Sequence, residues 1–129
     1  MERIFEKMGG ETKKLREVLG DRKLTDFKYS DFWDEEWGKE TEFRKKLKEF
    51  LKEAEELEKE LDIYVLQYGK DKPSSPHFIK ATAAVPDFFE GGEYTKYLDI
   101  TEEEYKEYQE FRKTVNFVWE LLSVFRFVE

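Results

Sequence analysis

The fold is decided by residues 101–129, TEEEYKEYQEFRKTVNFVWELLSVFRFVE, which combine a helix start signal with an unusual amount of apolar surface. Thr101 and Glu104 have the spacing of a capping box, and Ile100 and Tyr105 can form a hydrophobic staple around it. Apolar residues then recur at steps of three and four and mark one helical stripe: Tyr108, Phe111, Val115, Val118, Leu122 and Phe125. Because no Gly or Pro follows Thr101, we predict a long C-terminal helix rather than a strand at residues 124–128.

A second apolar stripe begins late in the same predicted helix and comprises Phe117, Leu121, Val124 and Val128. One stripe is enough to attach a surface helix to a core, so a helix with two is buried on both sides or meets a partner. We therefore predict an oligomer interface at Phe117, Leu121 and Val124, and with it a homo-oligomer.

Residues 40–61 carry the clearest helical pattern, a heptad seam formed by Phe43, Leu47, Phe50, Ala54, Leu57 and Leu61. The seam is short for a free coiled coil, which favours packing against another helix of the same domain. Residues 3–19 also predict helix, and we expect the adjacent Gly9 and Gly10 to divide it into two short pieces.

The hydrophobic period changes after residue 61. Residues 63–68, IYVLQY, are rich in strand formers, residues 78–85 alternate between apolar and mixed faces, and residues 93–98 predict a further strand. The sequence therefore predicts an α+β, two-layer fold with N-terminal helices, a long heptad-patterned helix, a small antiparallel sheet of two or three strands and a long C-terminal helix. Without an internal repeat or a linker, residues 1–129 are expected to form a single domain.

The composition constrains the environment of the protein. Charged residues make up 42% of the chain, with abundant Glu and Lys, which is typical of thermostable proteins and also of idealised designed sequences. The absence of cysteine excludes disulfides and thiol chemistry. No apolar run reaches membrane-spanning length and the N-terminus lacks the apolar core of a signal peptide, so we expect a cytoplasmic protein that does not engage a membrane.

The net charge of −8 is concentrated in residues 31–63, which hold thirteen acidic and seven basic side chains. Nucleic acid phosphates should repel such a chain, so a nucleic acid partner is disfavoured. An acidic face is suited to the basic groove of a partner protein, although ordinary solubility accounts for the same charge.

No motif for catalysis or metal binding is present. His77 is the only histidine, and neighbouring Ser74 and Ser75 lie in no nucleophile turn, so we assign no catalytic residue and favour a protein that is not an enzyme. A zinc site is disfavoured because Cys is absent, and no calcium loop matches the spacing of the acidic cluster Asp31, Asp34, Glu35 and Glu36. We expect neither a metal site nor a cofactor.

The aromatic segment at residues 27–37 is the strongest candidate for partner binding. Its predicted contacts are Phe32, Trp33, Asp34, Glu35 and Glu36, in which rings alternate with carboxylates. The alternative is that these rings cover the seam of the following helix. We expect a helical turn through Trp37, with Trp37 facing the core and Trp33 exposed among carboxylates.

The leading hypothesis is therefore a small acidic protein-binding module, an inhibitor or adaptor that occupies a partner's surface and has no chemistry of its own. Two alternatives remain open at this point. One is a structural homo-oligomer, and the other is a small-molecule binder or cofactor-free enzyme with an aromatic pocket under the sheet, lined by Tyr64, Tyr68, Tyr94, Tyr97 and His77.

Overall fold

The computed structural model describes residues 2–34, 36–85 and 92–126. These residues form an α+β fold with long first and last helices, as predicted. The elements in chain order are α1 (Glu2–Leu19), α2 (Tyr29–Phe32), α3 (Glu42–Tyr68), β1 (Phe78–Val85), β2 (Gly92–Asp99) and α4 (Glu102–Val124). A 3₁₀ turn at Leu24–Asp26 lies between α1 and α2.

Helix α3 is longer than the heptad pattern predicted. Thr41 caps its N-terminus by accepting a hydrogen bond from the Arg44 amide. The seam is buried as expected, but it continues through Leu61 to Val65, and the helix ends only at Tyr68. The predicted strand at residues 63–68 is therefore wrong, because Val65 extends the spacing of the seam and its burial keeps the chain helical.

Helix α1 runs unbroken through Gly9 and Gly10, so the predicted division into two pieces is also wrong. Its buried face, with Phe5 and Met8 before the glycines and Leu15 after them, packs into the common core and holds the helix together. A Cβ atom on Gly9 would lie 2.9 Å from a carboxylate oxygen of Glu107 in α4. Gly9 therefore marks a close approach between α1 and α4.

The sheet is an antiparallel pair, and both of its strands were predicted. Ile79 pairs with Leu98 and Ala81 with Lys96, and both Ile79 and Ala81 are buried against the helices. An isolated antiparallel β-bridge between Lys70 and Tyr97 lies beside β2.

Helix α4 begins as predicted, with Thr101 and Glu104 forming a reciprocal capping box. Phe111, Val115, Val118 and Leu121 lie in the core. The helix ends at Val124 and not at residue 128, because Phe125 turns inward, where its ring stacks on that of Phe32 with centroids 4.6 Å apart. Residues 127–129 lie outside the described part of the chain. No helix of the described residues has the length and apolarity needed to cross a bilayer.

Candidate partner-binding groove

An open groove of about 760 Å³ lies between α3 and α4. The two helices run antiparallel, since an ion pair joins Glu58 of α3 to Arg112 of α4 at one end. At the other end, Trp33 connects the beginning of α3 to the end of α4: its ring lies under the Arg44 guanidinium at 4.4 Å, and its indole N–H donates to the Phe125 carbonyl at 2.8 Å. Both ends of the groove are therefore fixed.

The floor of the groove is apolar and one aromatic side chain stands in it. Leu51 and Ala54 come from α3, and Val115 and Leu122 come from α4. Trp119 is 58% exposed, although it lies four residues after the buried Val115 on the same helix. An exposed Trp beside half-buried aliphatic side chains is the composition of a binding hot spot.

The rim of the groove is basic, in contrast to the chain as a whole. Its four cationic side chains, Arg44, Lys48, Lys52 and Arg126, outnumber its two carboxylates, Glu55 and Glu58. Glu40 lies beside this rim, and hydrogen bonds from Lys48 and then Arg44 lower the pKa of its carboxyl group. Arg44 and Lys48 both pair with Glu40, so part of the positive charge of the rim is compensated within the chain.

The electrostatic character reverses towards the other end of the groove. Partial burial and the nearby Glu58 raise the pKa of the Asp62 carboxyl group. Burial also raises the pKa of Tyr108, which faces the same carboxylates and Arg112 from α4. We call the end of the groove where α3 begins the basic end and the end beyond Glu58 the acidic end; Glu58 itself is paired with Arg112.

The residues of the predicted partner-binding segment differ in their exposure to solvent. Phe32 is fully buried and stacks on Phe125, so it is not available to a partner. Trp33 is half-buried between Arg44 and Phe125, whereas Trp37 is 71% exposed, the reverse of what we expected for the two tryptophans. The expectation was wrong because the helical turn ends at Phe32 and Trp33 pairs with Glu40 as a β-bridge, so Trp33 and Trp37 do not share a helix face.

Asp34 and Glu36 of that segment lie in an exposed turn. The Asp34 carboxylate accepts hydrogen bonds from the Glu36 and Trp37 amides, and Gly38 completes the turn with a φ of +65°. Asp34 and Glu36 are exposed, and Glu35 lies outside the described residues. The carboxylate of Asp34 is thus engaged in holding the turn.

The three residues predicted as an oligomer interface do not share one surface. Leu121 is fully buried within the chain, Phe117 is half-buried with its ring 6.2 Å from that of Phe27, and Val124 is 51% exposed. Phe27, which precedes α2, lies against Phe117, and Phe32 of α2 stacks on Phe125 just after α4, so this part of the chain folds back over the end of α4. The burial of Leu121 therefore requires no second subunit.

Comparison with known protein families, curated proteins and solved structures gives no match for this chain. The functional argument therefore rests on the geometry of the groove.

The aromatic residues proposed for a small-molecule pocket are engaged in local contacts. The rings of Tyr64 and Tyr68 lie 4.7 Å apart, and the Tyr94 hydroxyl donates to the Leu66 carbonyl. His77 lies instead against Tyr105, with ring centroids 5.0 Å apart. Among the residues that the structure describes, no group of three or more His, Cys, Asp or Glu side chains is arranged to hold a metal ion.

Sequence reasoning missed the groove because its existence depends on how α3 and α4 separate. One signal was present: Trp119 belongs to neither apolar stripe of the last helix, so it had to lie outside the predicted core. The basic residues of α3 gave no such signal, since Arg44, Lys48 and Lys52 fit equally well on an ordinary solvated face.

Proposed function

We propose that this protein is a protein-binding module that holds a segment of its partner in the groove between α3 and α4. The observation that carries the proposal is Trp119, a large and mostly exposed ring between the apolar floor and the basic rim. Aromatic residues in such positions supply much of the binding energy of protein interfaces. An inhibitor or an adaptor would both act by holding a partner in this way.

The rigidity of the groove supports the same proposal. At the basic end of the groove, α3 is joined to the end of α4 through Trp33, whose ring contacts the Arg44 guanidinium and whose indole N–H donates to the Phe125 carbonyl. At the acidic end, the Glu58–Arg112 ion pair joins the same two helices. A preformed groove loses little conformational entropy on binding. Within the groove, the Trp119 side chain, which is 58% exposed, still has a large apolar area to bury.

Site-specific photocrosslinking tests the proposal in the cells that make the protein. A photoreactive amino acid at the exposed Ser123, which lines the groove, should yield a discrete adduct with one partner protein. The same amino acid at Lys72, in the loop before β1, is the matched control and should give no such adduct. Adding Trp119→Ala should abolish the adduct at position 123, whereas an adduct that persists unchanged would contradict the proposal.

A further inference from the structure

We infer that β1 pairs edge to edge with β1 of a second copy of this chain, so that two copies share one antiparallel sheet in the order β2-β1-β1-β2. No residue of β1 lines the groove between α3 and α4, so this inference does not depend on the proposed function.

The backbone of β1 directs every second N–H and C=O group away from β2. Tyr97 lies opposite Lys80 in the register, but both its N–H and its C=O bond to Lys70 on the far side of β2. Because opposite residues of an antiparallel pair alternately exchange two hydrogen bonds and none, the backbone groups of Lys80 point away from Tyr97. The residues that share this direction are Phe78, Lys80, Thr82 and Ala84. No other backbone group within the described parts of the chain bonds to them on that side.

The two edges of the sheet are not equally covered. The segment after α3 lies along β2, where Lys70 pairs with the backbone of Tyr97 and with the carboxylate of Asp99, and Asp71 pairs with Lys96. On the other side of the sheet, β1 has substantial contacts only with β2 and α3 among the elements that the structure describes. Its outer edge is therefore open, and an open strand edge is a template for pairing with another strand.

The charge of β1 favours a second copy as the occupant of this edge. Two copies of a chain of net charge −8 repel each other, so they meet most easily where carboxylates are absent. Residues 78–85, FIKATAAV, contain no carboxylate and a single charged residue, Lys80, whereas β2 includes Glu93 and Asp99. The open edge is thus also the strand with the least negative charge.

The outward groups of β1 are complementary to themselves. A two-fold axis at Ala81 sets Lys80 opposite Thr82 of the partner subunit and Phe78 opposite Ala84 of the partner subunit, so that all outward groups of both strands are hydrogen-bonded. A shift of the strands by two residues would instead set Lys80 against Lys80 of the partner subunit, and like charges directly opposite each other are destabilising. Lys80 therefore selects the register centred at Ala81.

Analytical ultracentrifugation of the intact chain at rising protein concentration tests the inference with two matched proline variants. Thr82 and Thr95 are directly opposite each other, with their hydroxyl oxygens 3.0 Å apart, and their N–H groups point to opposite edges of the sheet. We expect a reversible wild-type dimer that Thr82→Pro weakens at least about tenfold, because each subunit loses one donor to the other. Thr95→Pro removes the same hydroxyl contact but alters only the β2 edge, so it should dimerise as the wild type does.

Several results would overturn the inference. They are a protein that stays monomeric at all concentrations, a dimer that the two proline variants affect equally, and a dimer that Trp119→Ala dissociates. If Thr82→Pro does not fold, hydrogen exchange of the wild type decides. The amides of Lys80 and Thr82 should exchange more slowly as the concentration rises while that of Thr95 does not change, and constant rates at Lys80 and Thr82 would contradict the pairing. Failure of this inference leaves the Trp119-dependent crosslink, and with it the proposed function, unaffected.

Discussion

Replacement of Trp33 by alanine should destabilise the protein strongly, because this side chain joins three elements. The change removes the hydrogen bond from the indole to the Phe125 carbonyl and the contact of the ring with Arg44 at 4.4 Å. The lost hydrogen bond costs about 1 kcal/mol, the lost cation–π contact about 0.5–1 kcal/mol, and the lost burial of about half of the ring about 1–1.5 kcal/mol. The free energy of unfolding should therefore fall by about 3 kcal/mol.

Two matched variants separate these contributions. Trp33→Phe keeps an aromatic ring under Arg44 but removes the donor to Phe125, so it should cost about 1 kcal/mol. Trp37→Ala, only four residues away, should change stability by less than about 0.5 kcal/mol because that ring is mostly exposed.

Chemical denaturation followed by far-ultraviolet circular dichroism measures all three variants, since this signal does not depend on the tryptophans that are removed. Equal losses for Trp33→Ala and Trp37→Ala, or a loss below about 1 kcal/mol for Trp33→Ala, would refute the reasoning. Either result would mean that Trp33 does not connect α3 to the end of α4.

Four further predictions concern other parts of the structure. Gly10→Ala should raise the free energy of unfolding by about 0.5–1 kcal/mol, since no atom lies within 4 Å of the added Cβ and α1 is helical at that position; a loss of stability in thermal melts would argue for a break there. Leu121→Ala should cost about 2–5 kcal/mol at every protein concentration and Val124→Ala less than about 0.5 kcal/mol, whereas similar, concentration-dependent losses would indicate a subunit interface. Asp62→Asn should raise the melting temperature slightly at pH 7, because partial burial raises the pKa of this carboxyl group and its ionised form is unfavourable in the folded state. This gain should shrink as the pH falls to about 4 and below, where the Asp62 carboxyl group becomes protonated and is as neutral as the Asn amide. Asp99→Asn should lower the melting temperature, because hydrogen bonds from the Ser74 amide and from Lys70 stabilise the ionised carboxylate and hold the pKa of Asp99 down. This stabilisation is present above about pH 4 and is lost below it. A difference in melting temperature between wild type and variant that does not narrow in acid would contradict these hydrogen bonds.

The termini of the long helices could be predicted from the sequence because they depend on neighbouring residues. Thr101 and Glu104 form their capping box within one helical turn, and Thr41 caps α3 through the nearby Arg44 amide. Strand β1 was predictable for a similar reason, since alternation over residues 78–85 records which face of the strand is buried.

The predictions of secondary structure were wrong where the same residues are compatible with two conformations. Residues 63–68 are apolar on both faces, so their pattern fits a buried strand as well as the end of a buried helix, and only packing along α3 decides between them. The pair Gly9 and Gly10 weakens a helix locally, but contacts of α1 with the core outweigh that cost.

The candidate site was less predictable than the fold. The exposure of Trp33 and Trp37 depends on a β-bridge between Trp33 and Glu40, which no local signal announces. Likewise, the cations of α3 and the Trp119 ring belong to elements far apart in sequence, and the tertiary fold brings them to one groove.

The central claim is that a partner occupies the groove at Trp119, and the indole N–H resonances of the protein test it directly. The three tryptophans mark three different places: Trp119 in the groove, Trp33 at its basic end and Trp37 on the exposed turn. Titration of ¹⁵N-labelled protein with the partner captured by crosslinking at position 123 should shift the Trp119 resonance most and leave that of Trp37 unchanged. A shift of the Trp37 resonance with Trp119 unaffected would contradict the account and place the binding surface on the turn.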